Sequence, residues 1–343
     1  EQLDADTESL LAVGRKHLCQ LSTLRWQQRD GLDTVLPYGV RRIHALRTLT
    51  TESVAVLMPF KAQELNHTNG IYYGQNAVSG NMIRIDRAQL LNGHSFRLGV
   101  SGSGKSISAK EELVEIALRT KDDILILDPE SEFGQLVKAL GGEVLPISPH
   151  SSIHLNALDI DRAYGEGKTP LVDKVKLILS VFEPLTENGL TAKQRSILDR
   201  CARLVYREYI RGGYRGAPPT LVDLRRILLE QPEAEAHDLA LASELYTTGS
   251  LNIFAHQTNV DTGARILCYD IRELDEQLRP VGMVVTLDAI FNRVIRNWRQ
   301  GKRTWILADE FYILFRYSFS AEFFYRLFKR MRKYNAFITA ISV

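Results

Sequence analysis

Residues 99–106 read Gly-Val-Ser-Gly-Ser-Gly-Lys-Ser, a complete G-x-x-x-x-G-K-[ST] phosphate loop. The motif commits the chain to a strand that ends on a glycine-rich turn and a helix that begins there. Glycines let successive backbone N–H groups turn inward and wrap a string of phosphates with no Cβ in the way. Gly99, Ser101, Gly102, Ser103, Gly104, Lys105, Ser106 and Ile107 are the expected cradle. In it Lys105 reaches the β- and γ-phosphates, Ser106 offers a hydroxyl to Mg2+, and the helix directs its positive end at the anion. The flanks agree. Ser95-Phe-Arg-Leu98 reads as a short strand, and Ile107, Leu113, Ile116 and Ala117 predict an apolar helix face.

A nucleotide site also needs a strand that ends in carboxylates near the loop. Arg303-Thr-Trp-Ile-Leu-Ala-Asp309-Glu310 has that form. Asp309 is the candidate to hold the water shell of Mg2+, and Glu310 the candidate base that polarises an attacking water. Two adjacent acids at the end of a buried strand are costly unless a cation or hydrogen bonds compensate them. Together the loop and the acids imply that the chain binds a nucleoside triphosphate and cleaves it. A third segment, Ile124-Leu-Ile-Leu-Asp128-Pro-Glu130, follows the loop helix directly and should be the next parallel strand, with its acids at the carboxyl end where ligands bind in open α/β sheets. Two readings stay open there. Glu130 positions water or contacts nucleotide, or Asp128-Pro-Glu only starts a turn into a helix over 131–140.

Composition bounds the alternatives. With 343 residues the chain can bury a large core and divide into more than one domain. Its 43 Lys and Arg against 41 Asp and Glu leave a net charge of +2, so any nucleic-acid binding must come from a local patch. Cys19, Cys201 and Cys268 are too scattered for a disulfide framework or a cysteine metal cluster. No apolar run approaches the roughly 20 residues of a membrane span. The sequence starts at Glu1 without a methionine and stops at Val343 within an apparent strand, so it reads as part of something longer.

Along the chain, residues 7–29 read as an amphipathic helix and Val54-Ala-Val-Leu-Met as strand-like. Residues 70–74 and 81–86 read as a hairpin. Between Lys105 and Asp309 lies far more chain than a minimal nucleotide core needs. Helical spacing of Leu171, Val175, Ile178 and Phe182, a capping box at Thr191-Ala-Lys-Gln194, and further helices over 221–230 and 233–246 predict an inserted all-α subdomain at 160–250. The β pattern returns at 265–271, and a helix over 280–298 leads to the Asp309 strand. The expected divisions are 1–60 as linker and helical remnant, 61–159 and 251–343 as two parts of an α/β core, and 160–250 as the insert.

After the acids, a helix over 320–333 carries an apolar face of Phe324, Leu327, Phe328 and Met331, and a basic side of Arg326, Lys329, Arg330 and Lys333. Arg332 falls at the edge of the apolar stripe. Arg330 or Arg332 is a candidate arginine finger toward a neighbouring subunit's γ-phosphate; a nucleic-acid channel and a solvated face are the other readings of the stripe. Thr120-Lys-Asp-Asp123 fits a guanine-reading pattern but precedes the wrong strand. His150 and His154 lie in a loop and lack the glutamate of a zinc motif.

These motifs together resemble the VirB-four class of ATPases, motors of type IV secretion and conjugative transfer in the HerA–FtsK branch of RecA-like ATPases. Asn92-Gly-His-Ser-Phe-Arg-Leu joined to the phosphate loop, Ile-Leu-Asp128-Pro-Glu-Ser-Glu-Phe133, Gly141-Gly-Glu-Val, Leu155-Asn-Ala-Leu-Asp159, the Asp309-Glu310 strand and Lys329-Arg-Met-Arg-Lys-Tyr334 carry the resemblance, over roughly residues 70–343. It implies an α/β fold, a RecA-like P-loop NTPase core with a mostly parallel sheet and an inserted all-α subdomain. It implies ATP and Mg2+ as cofactors, and Lys105, Ser106, Asp309, Glu310, Glu130 and Arg332 in the family's nucleotide roles. It also implies a homo-oligomeric ring, with a hexamer as the candidate stoichiometry, and a cytoplasmic location at the inner membrane held by other type IV secretion subunits. DNA or nucleoprotein is the candidate substrate. Two departures stand out. The family's Thr-Gln pair would lie past Val343, and its amino-terminal domain is missing apart from a candidate last helix. A DNA-pumping ATPase of the HerA–FtsK type, and a structural subunit that binds nucleotide with negligible turnover, are the alternatives.

Overall fold

The computed structural model describes residues 2–44, 48–57, 62–160, 162–164, 170–186, 189–316 and 318–342. The chain divides into two units, residues 1–62 and 63–343. The first holds helices α1 (Gln2–Lys16), α2 (Gln28–Val35) and α3 (Thr51–Leu57). Both expectations for this region need correction. The helix expected over 7–29 stops at Lys16, because Leu18 turns into the left-handed region at φ 55° and the Cys19 N–H closes back on the Gly14 carbonyl at 2.8 Å. The strand-like Val54 run is helical as far as Leu57, with Met58 outside the described residues. The Thr50 hydroxyl accepts the Ser53 N–H at 3.3 Å, and this local cap outweighs the β-propensity of two valines.

The second unit opens with an antiparallel hairpin, β1 (Ile71–Gln75) and β2 (Met82–Ile85), whose register shifts between Tyr72 and Gly74. Then come β3 (Ser95–Leu98), α4 (Lys105–Arg119), β4 (Asp123–Asp128), α5 (Gly134–Ala139) and β5 (Glu143–Pro146). Among the described residues five α-helices follow before the sheet resumes: α6 (Pro170–Phe182), α7 (Ala192–Arg211), α8 (Leu221–Leu229), α9 (Ala234–Ala242) and α10 (Glu244–Thr247). The capping box of α7 forms as the sequence predicts. The single helix expected over 233–246 is broken at Ser243, whose hydroxyl bonds the Ala240 carbonyl at 3.1 Å. The chain ends with β6 (Ile266–Asp270), α11 (Leu278–Arg299), β7 (Thr304–Ala308), a 3-10 turn (Phe311–Arg316), α12 (Ser318–Met331), a second 3-10 turn (Arg332–Tyr334) and β8 (Ala336–Ser342).

The six strands of the main sheet run in the order β3-β8-β7-β4-β6-β5, with every pairing parallel. Both faces are covered, so the central strands read as continuous apolar runs. Along β4, Ile124 and Ile126 pack with Ala109, Leu113 and Ile116 of α4, while Leu125 and Leu127 face α11 and the inserted helices. This is the α/β architecture with an all-α insertion that the sequence leads one to expect. The strand that follows α4 in sequence, β4, is not next to β3 in the sheet, because β8 and β7 fill the two places between them. Ile107 also departs from expectation. It is 66% exposed, and the apolar face of α4 is set by Ala109, Leu113, Ile116 and Ala117.

Candidate nucleotide site

In a parallel sheet with helices on both faces, ligands gather beyond the carboxyl ends of the strands. β3 ends there in the phosphate loop and β7 in Asp309-Glu310. Gly102 and Gly104 take φ of 76° and 88°, a region that a Cβ disfavours, and Gly104 is the residue from which α4 starts. Lys105 folds back over the loop, its Nζ donating to the carbonyls of Gly99 and Val100, at 3.0 Å for the latter. Ser101–Ile107 form one wall of a cleft, and Asp309 and Glu310 line it with them. The structure thus brings together the loop and the acid pair, with β8 lying between their strands.

Asp309 is only 4% exposed. Its N–H donates to the Leu127 carbonyl at 3.1 Å, which fixes it to the end of β4, and its carboxylate accepts the Glu310 N–H at 2.9 Å. Burial pushes its carboxyl up to about 7, helped by the charges of Glu310, Glu132 and Asp128 and opposed by that N–H. Glu310 takes the left-handed φ of 46°, uncommon for a residue with a Cβ. Its Oε2 is buried with no hydrogen-bond partner among the described residues. Burial, then the charge of Glu130, raises its carboxyl, and Lys105 opposes the shift. The Ser106 hydroxyl and the Asp309 carboxylate form an all-oxygen donor set that suits a hard cation such as Mg2+, whose charge would offset the burial that raises the Asp309 carboxyl.

Asp128 answers to the turn reading. Its carboxylate accepts the N–H groups of Glu132 at 3.0 Å and Phe133 at 2.9 Å, and the helix that follows begins at Gly134. Glu130 does not line the cleft. It is half exposed and faces Arg279 of α11 at 3.6 Å. The acid from this segment that does reach the cleft is Glu132, joined there by Lys110 of α4. Neither was singled out from sequence. A second acid two residues after the first carries no local signature of which one faces the ligand.

Arg330 and Arg332 stand elsewhere. Arg332 opens the 3-10 turn just before β8, at the amino-terminal edge of the sheet and so at the end opposite the phosphate loop. α12 ends at Met331, which turns Arg332 away from the apolar stripe and leaves it exposed. Arg330 is half-buried and Lys329 and Lys333 are exposed; the side chains of Arg326 and Leu327 lie outside the described residues. Asp123, from the guanine-like match, is buried at the same far edge under Arg293, Asn297 and Lys302. Among the described residues no group of three or more His, Cys, Asp and Glu is arranged to hold a metal.

Residues 71–214, less than half of the chain, match the family described as "Helicase HerA, central domain". Among solved structures, VirB4 of Thermoanaerobacter pseudethanolicus superposes with a TM-score of 0.72 at 22% identity, over 82% of this chain and 78% of that one. The plasmid coupling protein TrwB aligns at 15% identity with a TM-score of 0.48, both in complex with the non-hydrolysable GTP analogue GDPNP and with ADP and Mg2+, over 86% of this chain. It is covered to 71% and 70%. No curated protein matches the chain. The chain thus shares the α/β fold of that VirB4, and the matched segment adds a likeness to HerA; both agree with the resemblance expected from the sequence.

Proposed function

We propose that this chain is the ATP-hydrolysing core of a motor for type IV secretion or conjugative transfer. The observation that carries the proposal is the Asp309–Glu310 pair in the phosphate-loop cleft, with Glu310 in a strained left-handed conformation and one of its carboxylate oxygens buried without a partner among the described residues. Backbone strain of this kind costs about 1–3 kcal/mol and is concentrated at functional sites.

In this reading the N–H groups of residues 99–106 and the Lys105 ammonium bind the phosphates and stabilise charge as the γ-phosphoryl group transfers to water. Ser106 and Asp309 would hold Mg2+, which when bound would neutralise charge on the phosphates. Glu310 orients the attacking water and accepts its proton. Arg330 or Arg332 acts on the cleft of a neighbouring copy, since both precede the opposite edge of the sheet. The working divisions are 61–159 and 251–343 as the core, 160–250 as the insert and 1–60 as a linker. No helix among the described residues is long and apolar enough to cross a membrane. In this reading attachment at the inner membrane runs through other secretion subunits.

The HerA segment favours a second reading, translocation of duplex DNA. A near-neutral charge argues for the first, because a duplex motor binds its track with a steep dependence on salt. Hydrolysis of Mg-ATP with and without duplex DNA, from low to physiological salt, separates them. The secretion reading expects less than about twofold stimulation; strong stimulation that collapses as salt rises supports the DNA motor.

A further inference from the structure

We infer that Glu132, carried into the cleft by the turn that Asp128 builds, is the second carboxylate that holds the hydrated Mg2+ of a bound nucleotide. The inference rests on the nucleotide-site reading and deepens it.

The turn is tightly specified. Asp128 fixes the N–H groups of Glu132 and Phe133 with its two carboxylate oxygens. Between them Ser131 takes a left-handed φ of 58°, and its hydroxyl donates to Asp270 Oδ2 at 2.6 Å, which pins the turn to the end of β6. A left-handed residue without glycine's freedom persists only where its surroundings hold it. The consequence is a division of the two glutamates. Glu130 is directed to Arg279, while Glu132 is delivered to the cleft that also holds Lys105, Ser106, Asp309 and Glu310. The contacts holding Glu132 are to its backbone, and its exposed side chain is what it presents to the cleft.

Mg2+ sheds water reluctantly and is ordinarily bound through one or two carboxylates together with substrate phosphates. Asp309 is one such group, but it is buried and one of its oxygens accepts the Glu310 N–H. Glu310 is assigned to the attacking water. Glu132 is the remaining acid in the cleft wall, and it stands on the same side of the sheet's carboxyl edge as Ser106. A carboxylate there, unneutralised, would repel the phosphates that the loop is built to bind. A Mg2+ held by Glu132 would turn that repulsion into an attraction.

The test is equilibrium binding of a fluorescent ATP analogue to the wild type, Glu132→Gln and Glu130→Gln, each in Mg2+ and in EDTA, with circular dichroism to verify folding and Glu132→Asp as the conservative variant. Wild type should bind more tightly in Mg2+. Glu132→Gln should lose roughly tenfold of that Mg2+-dependent gain, the scale of losing one group of a metal's outer shell. In EDTA it should bind as well as wild type or better, because a like charge has gone. Glu132→Asp should recover part of the gain, and Glu130→Gln, whose charge reaches Glu310 but which does not line the cleft, should lose clearly less of it than Glu132→Gln. A Glu132→Gln variant that keeps the full Mg2+ gain, or a Glu130→Gln variant that loses as much, overturns the inference. A wild-type chain that binds no nucleotide in either buffer overturns the nucleotide-site reading itself.

Discussion

Arg87 Nη1 meets Glu112 Oε1 at 2.6 Å, with the two side chains only 4% and 1% exposed. Glu112 lies on α4, the helix that starts at the phosphate loop, and also receives Arg97 at 2.8 Å, the Thr339 hydroxyl at 3.1 Å and the Tyr73 hydroxyl at 2.5 Å. Burial alone would raise its carboxyl, yet Arg87 and Arg97 hold it below the usual range. Arg87 in turn donates to the carbonyls of Gly93 and Ile338. One buried carboxylate thus joins the hairpin, β3, α4 and β8. Removing it leaves two guanidinium groups facing a space they cannot neutralise.

Glu112→Ala should therefore lower stability by about 3–5 kcal/mol, the usual cost of breaking rather than replacing a buried pair. Urea unfolding monitored by circular dichroism measures it. A double variant, Arg87→Met with Glu112→Leu, should lose less than the sum of the single changes, because the pair is coupled.

Gly104→Ala should weaken nucleotide binding more than it weakens the fold. An added Cβ meets nothing within 4 Å, so the penalty is the φ of 88° and not a clash. Strain of about 1–2 kcal/mol falls on the turn that aims the loop's N–H groups. Comparing the change in unfolding free energy with the change in nucleotide affinity gives the result.

His94 should make the fold acid-sensitive. Its Nδ1 accepts the Ile338 N–H at 3.1 Å and its ring packs on Phe328 at 4.3 Å. Burial, then the charge of Arg87, lowers it from 6.5 to about 4. The folded state binds the proton less readily than the unfolded chain, so stability is full above pH 6.5 and falls as pH drops from there toward 4. The loss should be on the order of 1 kcal/mol after discounting for partial exposure. His94→Gln should flatten that part of the profile in a pH series of thermal melts.

Arg332→Ala and Glu310→Gln should complement one another. Arg332 precedes the edge of the sheet opposite the cleft, so its proposed target lies in another copy. Each variant alone should be nearly inactive, and a mixture should regain a fraction of wild-type hydrolysis, because some interfaces then combine an intact arginine with an intact glutamate. Steady-state rates across mixing ratios test this.

What was legible in the sequence was local. The phosphate loop, the Asp309 strand end and the Thr191 cap each announce themselves within eight residues, since the physics that makes them, glycine turns, apolar runs and side-chain caps, acts over that span. What was not legible depends on distant chain. Glu132 differs from Glu130 only in how Asp128 and Asp270 fold the turn, and Asp270 is far along the sequence. Arg87 and Glu112 look like surface charges until the hairpin closes over α4. Ile107 continued an apolar period by letter, but the start of a helix at a ligand cleft has no core to face. The Val54 run looks strand-like by its β-branched side chains, and the Thr50 hydroxyl that caps it tips it to a helix.

The most direct measurement is single-turnover hydrolysis of Mg-ATP by the wild type, Glu310→Gln and Lys105→Ala, with binding followed in the same samples. The expected result is that Glu310→Gln binds ATP about as tightly as the wild type but cleaves it at least about 100-fold more slowly, and that Lys105→Ala fails to bind. Cleavage by Glu310→Gln at the wild-type rate, or a wild type that binds ATP without cleaving it, would contradict the motor.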